Sequence, residues 1–288
     1  MRALVVGAGG QLGRALVEAV PKGVTVAALD RTAVDLCNPE AVARAVNEIR
    51  PDILFNAAAY TAVDAAESDA DAAFALNRDA VTTLARAATR AGARLVHVST
   101  DFVFDGARST PYPPAATPAP LGVYGRSKAE GETVALAAPG ALVVRTAWVY
   151  AAQGRNFALT MLRLMRERPE LRVVADQIGT PTHAASLARA LWGLAAAGAD
   201  GIWHYTDAGV ASWYDFAVAI AEEAHALKLI PTLPRITPIA SHNYPTPARR
   251  PAYGVLDKSA TWAVLGHPAA HWRAELRLML AELVSDHG

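Results

Sequence analysis

The chain has 288 residues, 52% of them hydrophobic, which is enough for one large domain or for a domain with a smaller lobe. Its 27 basic and 27 acidic residues cancel, so the overall charge gives no support for binding nucleic acid or an anionic membrane. The lone Cys37 excludes an intramolecular disulfide framework, and the lack of a signal-peptide pattern or an apolar run near ~20 residues predicts a cytoplasmic protein without a membrane span.

Short apolar runs alternate with helical patterns along the first half of the chain. Strands are predicted at 2–6, 24–29, 53–56, 95–99 and 142–145, and helices at 12–20, 39–49, 70–77 and 80–91. Later residues predict helices at 156–167 and 213–227 and strands at 171–174 and 202–205, whereas 106–122 and 231–251 are rich in proline. We expect the first proline-rich segment to be an active-site loop, because it leads directly to Tyr124.

This alternation predicts the α/β fold class, as a Rossmann-like doubly wound parallel sheet with a smaller C-terminal substrate-binding lobe. Strands that are apolar throughout, such as 3–6, are typical of a sheet covered on both faces. We assign residues 1–150 and 171–200 to a dinucleotide-binding domain, and residues 151–170 and 201–288 to a substrate-binding lobe.

A glycine-rich loop follows the first predicted strand and opens the first helix. Gly7, Gly10 and Gly13 form the pattern G-x-x-G-x-x-G, with Gln11 and Leu12 between the last two. Glycine permits a tight turn and close approach of the backbone, and the free N–H groups at a helix start favour a pyrophosphate. The alternative is an ordinary glycine-rich turn, but its position after the first strand favours a dinucleotide site.

The end of the second strand carries residues of opposite charge. Asp30 lies where an acid bonds the ribose hydroxyls of the cofactor and disfavours a 2′-phosphate, whereas Arg31 favours that phosphate. We therefore expect both NADPH and NADH to be usable, with Asp35 and Leu36 near the adenine. A solvated turn is the alternative role for Asp30.

Three side chains after the fourth strand predict a hydride-transfer site. Tyr124 and Lys128 fall on one helical face, and a neighbouring ammonium is expected to lower the pKa of the phenol. Thr100 is positioned to polarise a substrate carbonyl, Tyr124 to donate a proton, and Lys128 to hold the nicotinamide ribose. Asn77 is predicted to anchor Lys128 or a water. Each residue alone also suits a cap or surface role, but their order behind the glycine loop favours catalysis.

Other chemistries lack their motifs. The chain contains neither a Gly-x-Ser-x-Gly elbow nor a phosphate-binding loop ending in Gly-Lys-Ser/Thr. His267 and His271 have metal-pair spacing, but no ligand motif accompanies them, so surface or cap roles are favoured and no metal is predicted. His97 is predicted to be a buried, hydrogen-bonded core residue.

Several ordered segments together resemble the dTDP-4-dehydrorhamnose reductases, a family within the extended short-chain dehydrogenase/reductases. The matching segments are 56–64 (NAAAYTAVD), 99–106 (STDFVFDG), 124–128 (YGRSK), 145–150 (RTAWVY), 156–157 (NF), 176–182 (DQIGTPT) and 250–251 (RP). The resemblance covers nearly the whole chain. It implies that NADPH or NADH reduces the 4-keto group of dTDP-4-dehydro-6-deoxy-L-mannose to give dTDP-L-rhamnose.

The resemblance also implies roles for individual residues. It makes Thr100, Tyr124 and Lys128 the catalytic triad and adds cofactor contacts at Ala57, Ala58, Ala59 and Tyr60. Substrate contacts are implied for Asp101 and Phe102, and sugar contacts for Thr61, Val63 and Trp148. Contacts toward the nucleotide diphosphate are implied for Asn156, Gln177 and Arg250. Core packing is the alternative for Trp148, and a surface role for Arg250.

Two departures from related patterns affect the prediction. Phe102 stands where many relatives carry tyrosine and where the sugar-nucleotide dehydratases carry the glutamate of Thr-Asp-Glu, which disfavours elimination chemistry. Some family members dimerise through a metal held by acids, one of them early in the first helix. Here that helix reads Arg14-Ala15-Leu16, so metal-linked dimerisation is disfavoured and a monomer or homodimer is expected.

Two rival functions remain open at this point. The first is reduction of another nucleotide-bound 4-keto-6-deoxy sugar, which the triad does not distinguish. The second is a non-catalytic nucleotide-binding subunit, similar to the regulatory subunit of methionine adenosyltransferase, and the complete Thr-Tyr-Lys set disfavours it.

Overall fold

A computed structural model describes residues 1–285 of the chain. In chain order its strands are β1 (Arg2–Val6), β2 (Thr25–Leu29), β3 (Ile53–Asn56), β4 (Arg94–Thr100), β5 (Leu142–Thr146), β6 (Val149–Tyr150), β7 (Glu170–Val174), β8 (Ile178–Gly179), β9 (Thr182–His183), β10 (Gly201–His204), β11 (Ala211–Ser212) and β12 (Arg235–Ile239). The α-helices are α1 (Gln11–Glu18), α2 (Pro39–Ile49), α3 (Val63–Ala66), α4 (Ala70–Phe74), α5 (Ala80–Ala91), α6 (Val123–Leu136), α7 (Phe157–Glu167), α8 (Ala184–Ala196), α9 (Trp213–Ala226), α10 (Ser259–Leu265) and α11 (Trp272–Ser285). A π-helical turn spans Ala75–Asp79, and 3-10 turns span Asp101–Val103 and Ser241–Asn243.

The centre of the fold is a six-stranded parallel sheet with the strand order β10-β5-β4-β3-β1-β2. Helices α1 and α8 cover one face, and α2, α5 and α6 cover the other. The apolar strands can be buried on both sides only because helices lie on both faces. The predicted doubly wound α/β fold is therefore confirmed.

A second core lies beside this sheet. β7 and β12 form a separate two-stranded parallel sheet, and α7, α9 and α11 pack around a cluster that includes Phe216, Ile220 and Leu276. This core supports a lobe built from the later residues. Residues 286–288 of the predicted lobe lie outside the described residues.

Two strands lie differently from the predicted domain bounds. β10 pairs with β5 and so belongs to the central sheet, whereas 201–204 had been assigned to the lobe. β7 pairs with β12, although 171–174 had been assigned to the dinucleotide-binding domain. Both strands are short, and the pattern of hydrophobicity does not specify which sheet such a strand joins.

Two segments have local structures that the sequence did not predict. The helix expected over 70–77 keeps α-helical bonding only to Phe74 and continues as the π turn, whose Asn77 carbonyl packs against Gly131 of α6. The proline-rich 231–251 contains β12, which is an edge strand. An edge strand tolerates Pro238 because one side of its backbone needs no donor.

Within residues 1–285, every helix is too short or too polar to cross a membrane.

The packing of α8 against the sheet gives a stability prediction. Leu191 is fully buried in the cluster beneath α1 and α8, so Leu191→Ala should lower the free energy of unfolding by about 2–5 kcal/mol. Leu278→Ala is the matched control, because Leu278 is also helical but 57% exposed and its truncation should change stability by only about 0.5 kcal/mol. Urea unfolding measures both, and equal losses would contradict the assigned core.

Candidate active site

The glycine loop connects β1 to α1 with an open helix start. Gly7 has a φ of +76°, which favours glycine, and its carbonyl accepts the Gly10 N–H at 3.0 Å. Gly10 precedes α1 without a side-chain cap. The first N–H groups of the helix, at Gln11 and Leu12, are therefore available to a pyrophosphate. Leu12 contributes only its backbone, because its side chain lies in the core.

Close packing explains two of the three predicted glycines. A Cβ on Gly7 would lie 2.6 Å from the Ala58 nitrogen, and one on Gly13 would lie 2.2 Å from the Gly7 carbonyl oxygen. A side chain at Gly7 would collide with the segment after β3, and one at Gly13 would collide with the backbone of the loop itself. The loop therefore fits a dinucleotide whose phosphates approach the backbone.

The acidic and basic residues after β2 lie beside this loop. Asp30 Oδ1 accepts hydrogen bonds from the Thr32 backbone and hydroxyl and from the Ala33 backbone. These bonds, chiefly those to Thr32, lower the pKa of Asp30, so it is an anion at neutral pH. The Asp30 side chain borders Gly9, and Arg31 is exposed. Asp30 is thus at the loop, and Arg31 follows it directly in the chain.

Asp35 and Leu36 differ in their availability to a cofactor. The Asp35 carboxylate is exposed and accepts the Cys37 backbone N–H at 2.9 Å. The Leu36 side chain is buried in the core beneath β1 and β3, so it packs as a core residue.

The segment after β3 is held by the π turn. The Asn77 side chain accepts the Tyr60 N–H at 2.9 Å and donates to the Tyr60 carbonyl and to Ser127 Oγ. Asn77 is buried and its amide is occupied, so it anchors Tyr60 and α6. Its side-chain hydrogen bonds go to Tyr60 and Ser127, whereas Lys128 or a water had been the expected partner. Ala57, Ala58 and Ala59 are half-buried beside the glycine loop.

Thr100, Tyr124 and Lys128 come together where β4 ends and α6 begins. Thr100 is the last residue of β4, and its hydroxyl accepts the Phe102 N–H at 3.2 Å. Tyr124 lies in the first turn of α6, with its phenol close to the Thr100 side chain. One turn later, Lys128 Nζ donates to the Val98 carbonyl at 2.6 Å. The predicted triad is brought to one edge of the sheet.

The acidities of this group differ from the sequence-based expectation. Burial raises the pKa of Tyr124 to about 12; a hydrogen bond with Thr100 opposes this shift and the nearby Asp101 adds to it. The expected net lowering of the Tyr124 pKa is therefore wrong for this structure, because burial of the phenol outweighs the effects that favour the phenolate. Burial also lowers the pKa of Lys128 to about 8, against the opposing charge of Glu132, and raises that of Asp101 to about 7.

A cleft next to Tyr124 brings together five of the residues predicted to bind substrate. They are Asp101, Phe102, Trp148, Gln177 and Arg250. The Phe102 and Tyr124 rings meet edge to face with centroids 5.5 Å apart. Val63 packs in the same small cluster as Tyr124, and Thr61 is exposed beside it.

Trp148 forms one wall of this cleft. Its φ of +47° is unusual for a side chain of this size, and its ring stacks on Trp213 with centroids 3.5 Å apart. The strained backbone aims the ring across Gly179, where a Cβ would lie 2.7 Å from the indole. Trp148 is half-buried, so it packs against the lobe and also faces the cleft.

Arg250 is held at the opposite side by Asp64. Its guanidinium donates to both Asp64 oxygens, at 3.0 and 2.7 Å, and to Thr246 Oγ1. The bond to Arg250 is the main cause that lowers the pKa of Asp64. Gln177, by contrast, donates to Ser241 Oγ at 2.9 Å.

Asn156 lies away from this cleft. Its side-chain oxygen caps α7 by accepting the Leu159 N–H, and its nitrogen donates to Gln11 Oε1 at 2.8 Å. Asn156 therefore connects the lobe to the start of α1 on the cofactor side. The predicted contact with the substrate diphosphate is not supported by this geometry.

The histidines have the structural roles expected of them. His97 is fully buried and its Nδ1 pairs with Asn56 at 3.1 Å, while His271 accepts the Arg273 N–H near the start of α11. Among residues 1–285, no group of three or more His, Cys, Asp or Glu side chains is arranged to hold a metal ion.

A family model described as the RmlD substrate binding domain matches residues 1–285. The chain belongs to this family.

Relatives of this RmlD-family chain extend over its full length. It is 45% identical to the dTDP-4-dehydrorhamnose reductase of Burkholderia thailandensis, with 99% of this chain and 100% of that protein covered. The crystal structure of the dTDP-4-dehydrorhamnose reductase from Clostridium acetobutylicum has a TM-score of 0.93 at 36% identity, covering 99% and 100% of the two chains. That of the Bacillus anthracis reductase in complex with NADP has a TM-score of 0.92 at 34% identity, covering 98% and 99%.

Two carboxylates near the site of this RmlD-family chain were not predicted. Glu67 Oε1 accepts the Val123 N–H at 2.7 Å and so caps the helix that carries Tyr124. Glu132 is buried and pairs with Arg145. The sequence does contain a weak indication of Glu132, because it stands four residues after Lys128 and therefore on the same helical face. The role of Glu67 could not be predicted, because its partner Val123 is distant in sequence.

The close packing of the glycine loop gives a binding prediction. Gly13→Ala should displace the loop, because its Cβ would overlap the Gly7 carbonyl oxygen. Overpacking of this kind costs about 1–3 kcal/mol, so NADPH should bind roughly 5- to 150-fold more weakly. Gly9→Ala is the control, because its Cβ would meet only Asp30, at 3.4 Å, and the loop should keep its shape. Fluorescence titration with NADPH measures both variants, and unchanged binding by Gly13→Ala would contradict the assigned cofactor loop.

Proposed function

We propose that the chain catalyses the reduction of the 4-keto group of dTDP-4-dehydro-6-deoxy-L-mannose by NADPH or NADH, which gives dTDP-L-rhamnose. The observation that carries the proposal is the meeting of Thr100, Tyr124 and Lys128 at the carboxyl edge of the sheet, next to a cleft. Ligands of open α/β sheets bind at this edge. Full-length relatives named as dTDP-4-dehydrorhamnose reductases support the same substrate.

Different residues of the chain would bind the cofactor, hydrogen-bond the substrate carbonyl and transfer the proton. The glycine loop and the start of α1 would hold the cofactor pyrophosphate, with Asp30 or Arg31 at the adenosine ribose. When bound, the nicotinamide supplies a hydride. Thr100 and Tyr124 would hydrogen-bond the substrate carbonyl oxygen, and Tyr124 would transfer its phenolic proton to that oxygen as negative charge develops. Lys128 would hold the nicotinamide ribose and favour the phenolate that remains.

The high pKa of Tyr124 suits a proton donor. At a pKa of about 12 the phenol is protonated at neutral pH before the reaction begins. A cation at Lys128 is then most valuable at the moment when Tyr124 loses its proton, because an opposite charge nearby stabilises the phenolate. With a pKa of about 8, Lys128 is mostly charged at neutral pH.

The cleft carries groups that would contact a sugar nucleotide. Trp148 and Trp213 offer an aromatic wall, and Arg250 offers a cation at the far side. Phe102 replaces the acid that elimination chemistry needs, so reduction is favoured over dehydration. A different nucleotide-bound 4-keto-6-deoxy sugar is the second candidate, because the same cleft would accept it. We propose that the enzyme acts in the cytoplasm as a monomer or homodimer.

A turnover assay tests the proposal directly. Purified protein should oxidise NADPH, and NADH as well, when given the 4-keto sugar nucleotide made enzymatically from dTDP-glucose by a dehydratase and an epimerase. Loss of nicotinamide absorbance and the mass of the product measure the reaction. Faster turnover of another keto-sugar nucleotide would favour the second candidate. Cofactor binding with no oxidation of NADPH by any keto-sugar nucleotide would overturn the proposal.

The proton donor is tested by one conservative change. Tyr124→Phe keeps the ring that packs near Phe102 but removes the phenolic proton, so kcat should fall by about 10²–10⁴-fold while NADPH binding remains nearly unchanged. Tyr214→Phe, on α9 in the lobe, is the matched control and should keep its activity. Near-normal turnover by Tyr124→Phe would remove Tyr124 from the assigned role.

A further inference from the structure

A buried ion pair lies directly behind the proposed catalytic residues. Glu132 of α6 and Arg145 of β5 are 2% and 1% exposed, and their side chains meet in a two-pronged contact with Nε–Oε1 at 2.8 Å and Nη2–Oε2 at 2.7 Å. Neither residue lines the cleft. A buried ion pair is weak evidence for stability, because desolvation of both charges offsets their attraction. Its position therefore needs another explanation.

The carboxylate of this pair joins the two elements that carry the triad. Glu132 stands one turn after Lys128 on α6, and its Oε1 also accepts the Ser99 hydroxyl at 2.5 Å. Ser99 immediately precedes Thr100 on β4. A single side chain thus connects the strand end at Thr100 with the helix that carries Tyr124 and Lys128.

Arg145 anchors this carboxylate to the rest of the fold. Its remaining nitrogen donates to the Pro114 carbonyl at 3.1 Å and lies 3.4 Å from His204 Nε2, and its guanidinium stacks over the Phe104 ring. Burial and the Arg145 charge lower the pKa of His204 to about 3, so His204 is neutral. The proline-rich loop, β5 and β10 therefore all hold Arg145 in place.

Glu132 also supplies negative charge to the surroundings of Lys128. His97 of β4 also lies near Lys128, and burial, together with the Lys128 charge, holds the pKa of its imidazole well below the usual range. Burial disfavours the Lys128 ammonium, and the charge of Glu132 opposes that effect. Arg145 is a second buried cation and pairs with the same carboxylate.

We propose that Glu132, held by Arg145 and Ser99, is a positioning residue that keeps Lys128 charged and Thr100 in place beside Tyr124. The inference rests on the proposed function for the roles of Thr100, Tyr124 and Lys128. Glu132 would touch neither substrate nor cofactor and would act only through Thr100, Tyr124 and Lys128.

The test compares Glu132→Gln with Glu130→Gln. The first removes the carboxylate and leaves the Arg145 cation, so Lys128 should lose its proton more easily. The alkaline inflection of kcat/KM should then move to lower pH by roughly one unit, which reduces activity above it about tenfold. Glu130 is on the same helix as Glu132 and pairs at the surface with Arg78 of the π turn, so Glu130→Gln should keep the wild-type profile.

An equilibrium measurement separates this inference from the proposed function. The NADPH dissociation constant, measured against pH by fluorescence, should show the same inflection and the same shift in Glu132→Gln. If wild-type protein binds NADPH but reduces no keto-sugar nucleotide, the proposed function fails and the binding profile still decides the inference. An inflection that does not move in Glu132→Gln would overturn it.

Two further variants keep the inference testable if Glu132→Gln does not fold. Ser99→Ala retains both charges but frees the carboxylate from β4, so kcat should fall by roughly three- to tenfold, the value of one hydrogen bond, while the alkaline inflection stays in place. Glu132→Asp keeps the charge and should also keep that inflection. A kcat of Ser99→Ala within about twofold of wild type would overturn the link to Thr100.

Discussion

An ammonium group with almost no access to water is the constraint on which the proposed active site depends. Lys128 is 2% exposed, and a charge in such a place persists only if the protein supplies hydrogen bonds and opposite charge. The Val98 carbonyl and Glu132 provide them, and both depend on the pairing of β4 with β5 and on the packing of α6 across that pair. The sheet, the helix and the buried ion pair therefore form one electrostatic unit.

The rest of the fold brings two different surfaces to this unit. On one side, the glycine loop and the start of α1 present backbone N–H groups, with Asn156 connecting that start to the lobe. On the other side, the lobe supplies Trp148, Gln177 and Arg250, and the ion pair with Asp64 holds Arg250 against α3. The short helix α3 carries Asp64, which holds Arg250 of the substrate cleft. Glu67, the residue after α3, caps the start of α6, the helix that carries Tyr124 and Lys128. One short segment therefore holds in place both a residue of the substrate cleft and the helix of the proposed catalytic residues.

Much of this arrangement was predictable from the sequence, because it depends on local patterns. The alternation of strands and helices, the glycine spacing, and the Tyr124–Lys128 spacing all have short-range causes, and the structure brings these elements to one edge of the sheet. The acidity of Tyr124 was not predictable, because it depends on burial by residues distant in sequence. The same reason hid the partners of Asn77, Asn156 and Arg250, the pairing of β7 with β12, and the contact between Glu67 and α6.

The π turn at Ala75–Asp79 has a consequence for how the chain tolerates changes in length. A π turn accommodates one residue more than the α-helical path would need. Loss of a single residue there would restore a regular helix and rotate Asn77 by about a quarter of a turn. Its amide would then leave Tyr60 and Ser127, and its carbonyl would leave the gap at Gly131. A one-residue deletion in this turn would thus misalign α6, whereas exposed loops of the same chain are free to vary in length.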